Sequence, residues 1–184
     1  MQRIDLPLPD LCLLEPKVHG DSRGFFFEVW NQRTLGELGI TDTFVQENHS
    51  RSARGVLRGL HYQLPRSQGK LLRVLEGEIF DVVVDLRRSS PAFGRAHTLH
   101  LQAASRRMLW VPPGFAHGFL VLTEAAEVQY AVTDYYAPQS EHALLWNDPT
   151  LGIEWPLERA GIAAPTLSAK DAAGVPLADA LLFD

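Results

Sequence analysis

Short apolar runs alternate with turn signals along most of this chain. Residues 78–86 carry the β-branched side chains of a buried strand, and residues 97–101 alternate strictly between polar and apolar positions. Glycine and proline are spread between the runs rather than pooled in one segment. Strands at this spacing predict a mainly all-β protein, a sandwich or barrel such as a jelly roll. The predicted strands are residues 25–30, 44–47, 56–63, 70–75, 78–86, 97–101, 108–111, 119–122 and 127–133.

Two segments carry helical signals. A short helix is predicted over residues 34–38, with Thr34 as its N-cap and Glu37 three residues later. From Trp146 to Asp184, prolines and small residues predict loops and one or two short helices that pack over one end of the sandwich. Because no repeat, low-complexity stretch or linker divides the chain, we expect residues 1–184 to form a single domain.

Composition narrows the class of protein. The chain is 46% apolar and 21% charged, as in ordinary globular proteins, and its net charge of -5 without a basic cluster disfavours a nucleic-acid surface. Cys12 is the only cysteine, which excludes an intramolecular disulfide and a thiolate metal site. The first residues lack the apolar core of a signal peptide, and no run reaches membrane-spanning length. We therefore expect a soluble, cytoplasmic protein with neither nucleic-acid nor membrane partners.

Two histidines are the first candidates for chemistry. His61 lies in a predicted strand, and histidine exchanges a proton near neutral pH, although a hydrogen-bonded structural histidine is the alternative. His117 follows a turn with the spacing Pro-x-Gly-x-x-His, which resembles the second motif of cupin jelly rolls, where that histidine often binds a metal. The first cupin motif has no counterpart here, since Gln63 stands at the expected position. Two histidines are too few ligands for a tightly held metal, so no metal is expected.

Without a metal, the polar residues suit acid–base chemistry on an anionic small molecule. His61 could act as the general base and Tyr130 as the general acid, with Lys70 or Arg58 stabilising an oxyanion. This pairing requires the base and the acid to lie on opposite faces of the substrate. A barrel-lining structural role is the alternative for Tyr130.

Strand alternation raises a difficulty for Arg58. It places Arg58 and His61 on opposite faces of the strand, so both serve one site only if Gly59 marks a bulge or twist. Otherwise Arg58 serves a neighbouring subunit or has a structural role. Alternation also predicts that the adjacent Tyr135 and Tyr136 are structural.

Eight motifs, taken in order along the chain, carry a resemblance to a known family. They are RGFFFE at 23–28, QENHS at 46–50, LRGLHYQ at 57–63, QGK at 68–70, GEIFDVVVD at 77–85, PPGFAHGF at 112–119, LWND at 145–148 and LSAKD at 167–171. The ordered set closely resembles the dTDP-4-dehydrorhamnose 3,5-epimerase family and covers nearly the whole chain.

This resemblance implies a cupin-like jelly roll with short C-terminal helices, no metal or organic cofactor, and a homodimer formed by strand exchange. The implied substrate is dTDP-4-dehydro-6-deoxy-D-glucose, whose ketone acidifies the hydrogens on C3 and C5. Removal of either hydrogen gives an enolate, and reprotonation from the other face inverts that carbon. The implied product is dTDP-4-dehydro-L-rhamnose, which feeds dTDP-L-rhamnose synthesis.

The resemblance also implies residue roles. His61 matches the family's base, Asp171 the carboxylate that orients it, Tyr130 the proton donor and Lys70 the group near the keto oxygen. In a strand-exchanged dimer, the arginine of one chain could also reach the nucleotide of the other. Positions matching the family's substrate contacts are Arg23, Glu28, Gln46, Glu47, Asn48, Arg58, His117, Glu141 and Lys170.

Three alternatives remain open at this point. A relative could invert only one carbon, or act as a ketoisomerase on a related dTDP-4-keto sugar, and product analysis separates these. A metal-dependent cupin oxygenase or isomerase would reveal itself by metal analysis. A non-catalytic sugar-nucleotide-binding module would bind dTDP without promoting solvent exchange into the sugar.

Overall fold

The chain folds mainly into β-strands, as a computed structural model that describes residues 1–184 shows. Three short α-helices are present, α1 (Gln32–Glu37), α2 (Leu157–Ala160) and α3 (Ala169–Ala172), together with four single 3-10 turns. The strands are β1 (Gln2–Asp5), β2 (Cys12–Glu15), β3 (His19–Asp21), β4 (Gly24–Phe26), β5 (Gln46–Ala53), β6 (Leu57–Gln63), β7 (Lys70–Glu76), β8 (Glu78–Asp85), β9 (Ala96–Gln102), β10 (Met108–Val111), β11 (Phe115–Val121), β12 (Ala125–Val132) and β13 (Glu141–Ala143).

Two antiparallel sheets form the sandwich. One has six strands in the order β1-β2-β10-β7-β12-β5, and the other has five in the order β13-β6-β11-β8-β9. Their inner faces share one core cluster, in which Leu72 and Val128 from the six-stranded sheet pack with Val83 and Phe119 from the five-stranded sheet. The predicted jelly-roll sandwich is therefore confirmed.

The C-terminal tail covers the outer face of the five-stranded sheet. Val82 and Leu120 point to this outer face, where they form a second cluster with Trp155, Leu167 and Phe183 of the tail. A sheet buried on both faces explains why residues 78–86 are mostly apolar on both faces of the strand instead of alternating, apart from Glu78, Asp81 and Asp85. The tail contains the predicted short helices and carries α3 back to the edge of the sandwich.

Two local predictions were wrong. The first helix begins at Gln32, because Asn31 rather than Thr34 is the N-cap and its side chain accepts the Thr34 N–H at 2.9 Å. The segment predicted as strand 25–30 contains only the short β4, which forms an isolated hairpin with β3. Phe25 and Phe26 on this hairpin are 59% and 72% exposed.

β5 is longer than predicted and extends to Ala53. Its residues are mostly polar, so it lacks the apolar alternation that reveals a half-buried strand. The structure explains this: Gln46, Asn48 and Ser50 line a polar cavity, while Glu47 and His49 face outward. No helix of the structure is long and apolar enough to cross a membrane.

Candidate active site

A cavity of about 680 Å³ opens between the two sheets at the end of the sandwich nearest α3. This volume lies within the usual range for small-molecule sites, and most of the residues that line the cavity are polar. Both sheets contribute. The six-stranded sheet supplies Gln46, Asn48, Ser50, Lys70, Val128 and Tyr130, and the five-stranded sheet supplies Arg58, His61, Tyr62, Gln63, His117, Gly118, Phe119 and Glu141.

His61 and Asp171 form a hydrogen-bonded pair at the cavity wall. Nε2 of His61 lies 2.5 Å from Oδ1 of Asp171, and the side chains are 31% and 5% exposed. Burial raises the pKa of Asp171, but hydrogen bonds from His61 and Ser168 outweigh it and hold this pKa at about 2. The carboxylate is thus ionised at neutral pH and accepts the Nε2 proton, which leaves the other ring nitrogen of His61 free to take up a proton.

Gly59 brings Arg58 and His61 to the same cavity. Gly59 has a φ of +124°, which favours glycine. A Cβ atom added at this position would lie 2.5 Å from the Cα of Gly118, so no larger residue fits. The register between β6 and β11 shifts at this point, and the Gly59 N–H donates to Asp171 Oδ1 at 3.1 Å instead of joining the ladder. The irregularity at Gly59 that a shared site required is therefore present, and both side chains line one cavity.

Lys70 is a buried cation beside the pair formed by His61 and Asp171. Its ammonium donates to the backbone carbonyl of His61 at 3.1 Å, which ties the six-stranded sheet to the five-stranded sheet. Burial lowers the pKa of Lys70 to about 8, although the negative charges of Asp81 and Glu141 oppose this shift. The side chain is therefore charged at neutral pH in a site with little competing water.

Tyr130 faces the cavity from the sheet opposite His61, because it lies on β12 of the six-stranded sheet while His61 lies on β6 of the other. Burial raises the pKa of its phenol above the usual value, with Arg58 acting in the other direction. The hydroxyl is consequently protonated at neutral pH and is available as a proton donor.

A second histidine–carboxylate pair stands beside the first. His117 is directly opposite His61 in the β6–β11 register, and its Nε2 lies 2.9 Å from Oδ2 of the fully buried Asp81. Oδ1 of Asp81 has no hydrogen-bond partner. No group of three or more histidine, cysteine, aspartate or glutamate side chains is arranged to hold a metal ion.

Lys170, Glu141 and Tyr136 form a polar cluster at the cavity rim. The Lys170 ammonium pairs with the Glu141 carboxylate, which also accepts the Tyr136 hydroxyl at 2.8 Å. Burial raises the pKa of Glu141, but these two donors outweigh it and hold the pKa below its usual value. The prediction for Tyr136 needs correction, because Tyr135 and Tyr136 do not lie on a strand and Tyr136 lines the cavity while Tyr135 does not.

Three predicted contact residues lie away from the cavity of their own chain. Arg23 sits on the exposed β3–β4 hairpin, paired with Asp21, and Glu28 accepts a hydrogen bond from the Asn31 amide. Glu47 is exposed on the outer face of β5, so a ligand in the cavity could reach only its backbone. The remaining predicted residues, Gln46, Asn48, Arg58, His61, Lys70, His117, Tyr130, Glu141, Lys170 and Asp171, all line it.

Besides Tyr136, Ser168 and Asp81 bond to predicted site residues but had no predicted role themselves. Ser168 bonds to Asp171, and the spacing Ser-x-x-Asp that begins at the N-cap of α3 is a helix-capping signal that could have revealed it. Asp81 is a lone charge inside the apolar run of β8, and a buried charge of this kind is expected to have a specific partner.

Comparison with known proteins relates this site to sugar-nucleotide enzymes. A family model described as dTDP-4-dehydrorhamnose 3,5-epimerase matches residues 5–179. A dTDP-4-dehydrorhamnose 3,5-epimerase of Pseudomonas aeruginosa is 55% identical over 184 residues, covering 100% of this chain and 99% of that protein.

Solved structures show the same similarity. A dTDP-6-deoxy-D-glucose-3,5-epimerase from Legionella pneumophila, in complex with dTDP-4-keto-L-rhamnose, has a TM-score of 0.92 and 49% identity, covering 97% of this chain and 93% of that one. A 3'-monoepimerase from Streptomyces bikiniensis, in complex with dTDP-quinovose, has a TM-score of 0.85 and 34% identity, covering 94% and 86%. This chain is thus more similar to these two 3,5-epimerases than to the monoepimerase.

Proposed function

The chain belongs to the dTDP-4-dehydrorhamnose 3,5-epimerase family, and from this premise we propose that its cavity inverts C3 and C5 of dTDP-4-dehydro-6-deoxy-D-glucose. The enzyme is an isomerase, and the product of the double inversion is dTDP-4-dehydro-L-rhamnose. One observation carries the proposed mechanism: a base, His61, and an acid, Tyr130, face one cavity from opposite sheets. Inversion of a carbon requires proton removal from one face and proton delivery to the other.

The chemical steps need no group beyond these side chains. His61 takes the proton from the carbon next to the ketone, the C–H electron pair moves into an enolate, and Asp171 balances the imidazolium charge. The Lys70 ammonium opposes the negative charge that grows on the keto oxygen. Tyr130 then gives its proton to the opposite face of the same carbon. Solvent exchange returns both groups to their starting states, and the cycle repeats at the second carbon.

Cationic groups in the cavity fit the diphosphate of the substrate. The Arg58 guanidinium, which donates to Ser52 Oγ at 2.9 Å, retains further donors that can meet phosphate oxygens in a fork geometry. Lys170, which is paired with Glu141, is a second cation at the rim. The exposed ring of Tyr136 offers an aromatic face on which the thymine ring can stack. These features support a nucleotide-linked sugar over a neutral free sugar.

Proton NMR in heavy water tests the proposed function. The purified protein is incubated with dTDP-4-dehydro-6-deoxy-D-glucose in the presence and in the absence of a chelator, and deuterium should enter both C3 and C5 in both samples. Reduction with a dTDP-4-dehydrorhamnose reductase should then give dTDP-L-rhamnose. Exchange at one carbon alone would indicate a monoepimerase, and formation of a 3-keto sugar would indicate a ketoisomerase. Loss of activity only in the sample with chelator would indicate a metal enzyme. Binding without exchange would leave only a binding module.

Lys70→Met should lower kcat by about 10²- to 10³-fold, because methionine keeps the length of the buried side chain but removes the charge that stabilises the enolate. The ammonium form of Lys70 predominates below its pKa of about 8 and is lost above it, so wild-type kcat should fall as the pH rises through about 8. This alkaline limb should disappear in the variant. Lys17→Met, at an exposed site outside the cavity, is the control, and an unchanged alkaline limb in Lys70→Met would contradict the assignment.

We further propose a homodimer in which the β3–β4 hairpin of one chain reaches the cavity of its partner. The hairpin makes no sheet with the rest of its own chain, and it presents exposed Phe25 and Phe26 beside Arg23, whose side chain is 88% exposed. Exposed aromatic groups next to an arginine are typical of interface residues. This arrangement would give Arg23 the ligand contact that its place in its own chain does not allow.

Mixed dimers test this proposal. Arg23→Ala should raise KM about tenfold by removing a charge-assisted contact, and His61→Gln should remove the base. A dimer of the two variants has one site with both residues intact if the hairpin is exchanged. Co-refolding equal amounts should then restore roughly a quarter of wild-type kcat/KM, since half of the dimers are mixed and each has one complete site. If every site uses its own hairpin, mixing should give no more than the average of the two variants.

The cellular location is also a proposal. A dTDP-linked sugar is made from a nucleoside triphosphate, so its epimerase is expected in the cytoplasm, where nucleotides are supplied. The buried free thiol of Cys12, whose pKa burial raises to about 11, is compatible with that reducing compartment. Fractionation of cells followed by immunodetection would test the location, and recovery in a membrane or secreted fraction would contradict it.

A further inference from the structure

Ser168 makes two hydrogen bonds to Asp171, and they run in opposite directions. Its hydroxyl donates to Oδ2 of the carboxylate at 2.6 Å and accepts the Asp171 backbone N–H at 3.1 Å. Oδ1, the other carboxylate oxygen, accepts from Gly59 N–H and from His61 Nε2. Each oxygen of Asp171 thus has its own donors, which come from two segments of the chain: β6 supplies the donors to Oδ1, and the N-cap of α3 supplies the donor to Oδ2.

This division of donors fixes the rotation of the carboxylate. If Oδ2 had no donor, the group could rotate partway about its terminal torsion and carry Oδ1 away from His61, because that torsion is broad. The Ser168 hydroxyl removes this freedom and holds Oδ1 on the imidazole. The short O–H···O⁻ distance is typical of a strong charge-assisted hydrogen bond, and this bond is one of the interactions that hold the pKa of Asp171 at about 2.

We propose that Ser168 is a positioning residue for the histidine–aspartate pair: its hydroxyl locks the Asp171 carboxylate so that His61 keeps one orientation and one tautomer. This inference rests on the proposed function, in which His61 is the base. A serine at the N-cap of α3 also has a purely structural role, since the helix is only four residues long and needs its cap. The two roles depend on different atoms and can be separated.

Three substitutions separate the roles. Glycine is tolerated at N-caps nearly as well as serine, whereas alanine is not, and threonine retains the hydroxyl. A pure capping role therefore predicts that only Ser168→Ala is impaired. A positioning role predicts that Ser168→Gly and Ser168→Ala both lose about tenfold in kcat with little change in KM, and that Ser168→Thr recovers most of the loss. Wild-type kcat in Ser168→Gly would overturn the inference.

A second measurement reports on the dyad without any turnover. The proton in the 2.5 Å bond between His61 and Asp171 should give a strongly downfield proton resonance in the free protein. This resonance should move upfield or disappear in Ser168→Gly and Ser168→Ala and return in Ser168→Thr. An identical resonance in Ser168→Gly would also overturn the inference. Because the signal needs no substrate, a failure of the proposed reaction in the wild-type protein remains distinguishable from a failure of this positioning role.

Discussion

His61→Gln should lower kcat by about 10²- to 10⁴-fold and abolish solvent exchange at both C3 and C5, because the variant lacks the base that starts each inversion. Glutamine suits this test. Its side-chain amide can place an N–H near the position of His61 Nε2, so the buried Asp171 carboxylate keeps a hydrogen-bond donor. The fold and the ligand cavity should consequently be retained, and the affinity for dTDP should remain close to that of the wild-type protein.

The measurement follows deuterium incorporation into the sugar together with formation of the inverted product. His49→Gln is a matched control, since His49 lies on the neighbouring outer surface of β5, is 51% exposed and pairs with Glu127. It should exchange and epimerise at the wild-type rate. Persistent exchange at either carbon in His61→Gln would show that another group, with His117 the nearest histidine in the register, removes that proton.

The pattern of apolar and polar residues along the chain predicted the sandwich, because most strands bury one or both faces in apolar cores. β8 illustrates this, since its Val-rich run reflects burial between the sandwich core and the tail. β5 illustrates the limit of this approach. Its inward side chains line a polar cavity and its outward side chains meet water, so no apolar period marks this strand. Strands that build a polar site are the ones that hydrophobic patterning misses.

Part of the site could be predicted from the sequence, because two of its residues lie on one strand. Arg58 and His61 are three residues apart, and their joint use of one cavity required an irregularity at Gly59, which the positive φ and the register shift now show. The contact of His61 with Asp171 spans 110 residues, and no periodicity relates the two. It depends on how the tail packs against the five-stranded sheet, and only the family resemblance indicated it.

The exposed hairpin shows a different limit. Phe25 and Phe26 are typical of a buried strand, and strand 25–30 was predicted on that basis, yet both side chains are exposed in the single chain. The pattern of apolar residues in such a segment is the same whether the segment is covered by its own chain or by a second copy. Only the structure of the single chain shows that its own core leaves this segment uncovered.

Tyr130→Phe should separate proton removal from proton delivery, with inverted product falling by about 10²- to 10⁴-fold while some solvent exchange at C3 or C5 persists. His61 and Lys70 still form the enolate in this variant, but the phenol hydroxyl that delivers a proton to the opposite face is gone. The proton on His61, once exchanged with heavy water, returns to the face it left, and the sugar gains deuterium with its configuration retained.

The variant removes only a hydroxyl and keeps the ring that packs against the core, so the structure should be preserved. Tyr135→Phe makes the same change on an exposed neighbour outside the cavity and should behave as wild type. Time courses of deuterium incorporation and of product formation, recorded on one sample, give the ratio of exchange to inversion. A raised ratio identifies Tyr130 as the donor. Equal loss of both would place Tyr130 in enolate formation instead, and undiminished product would mean that a group other than Tyr130 protonates the second face.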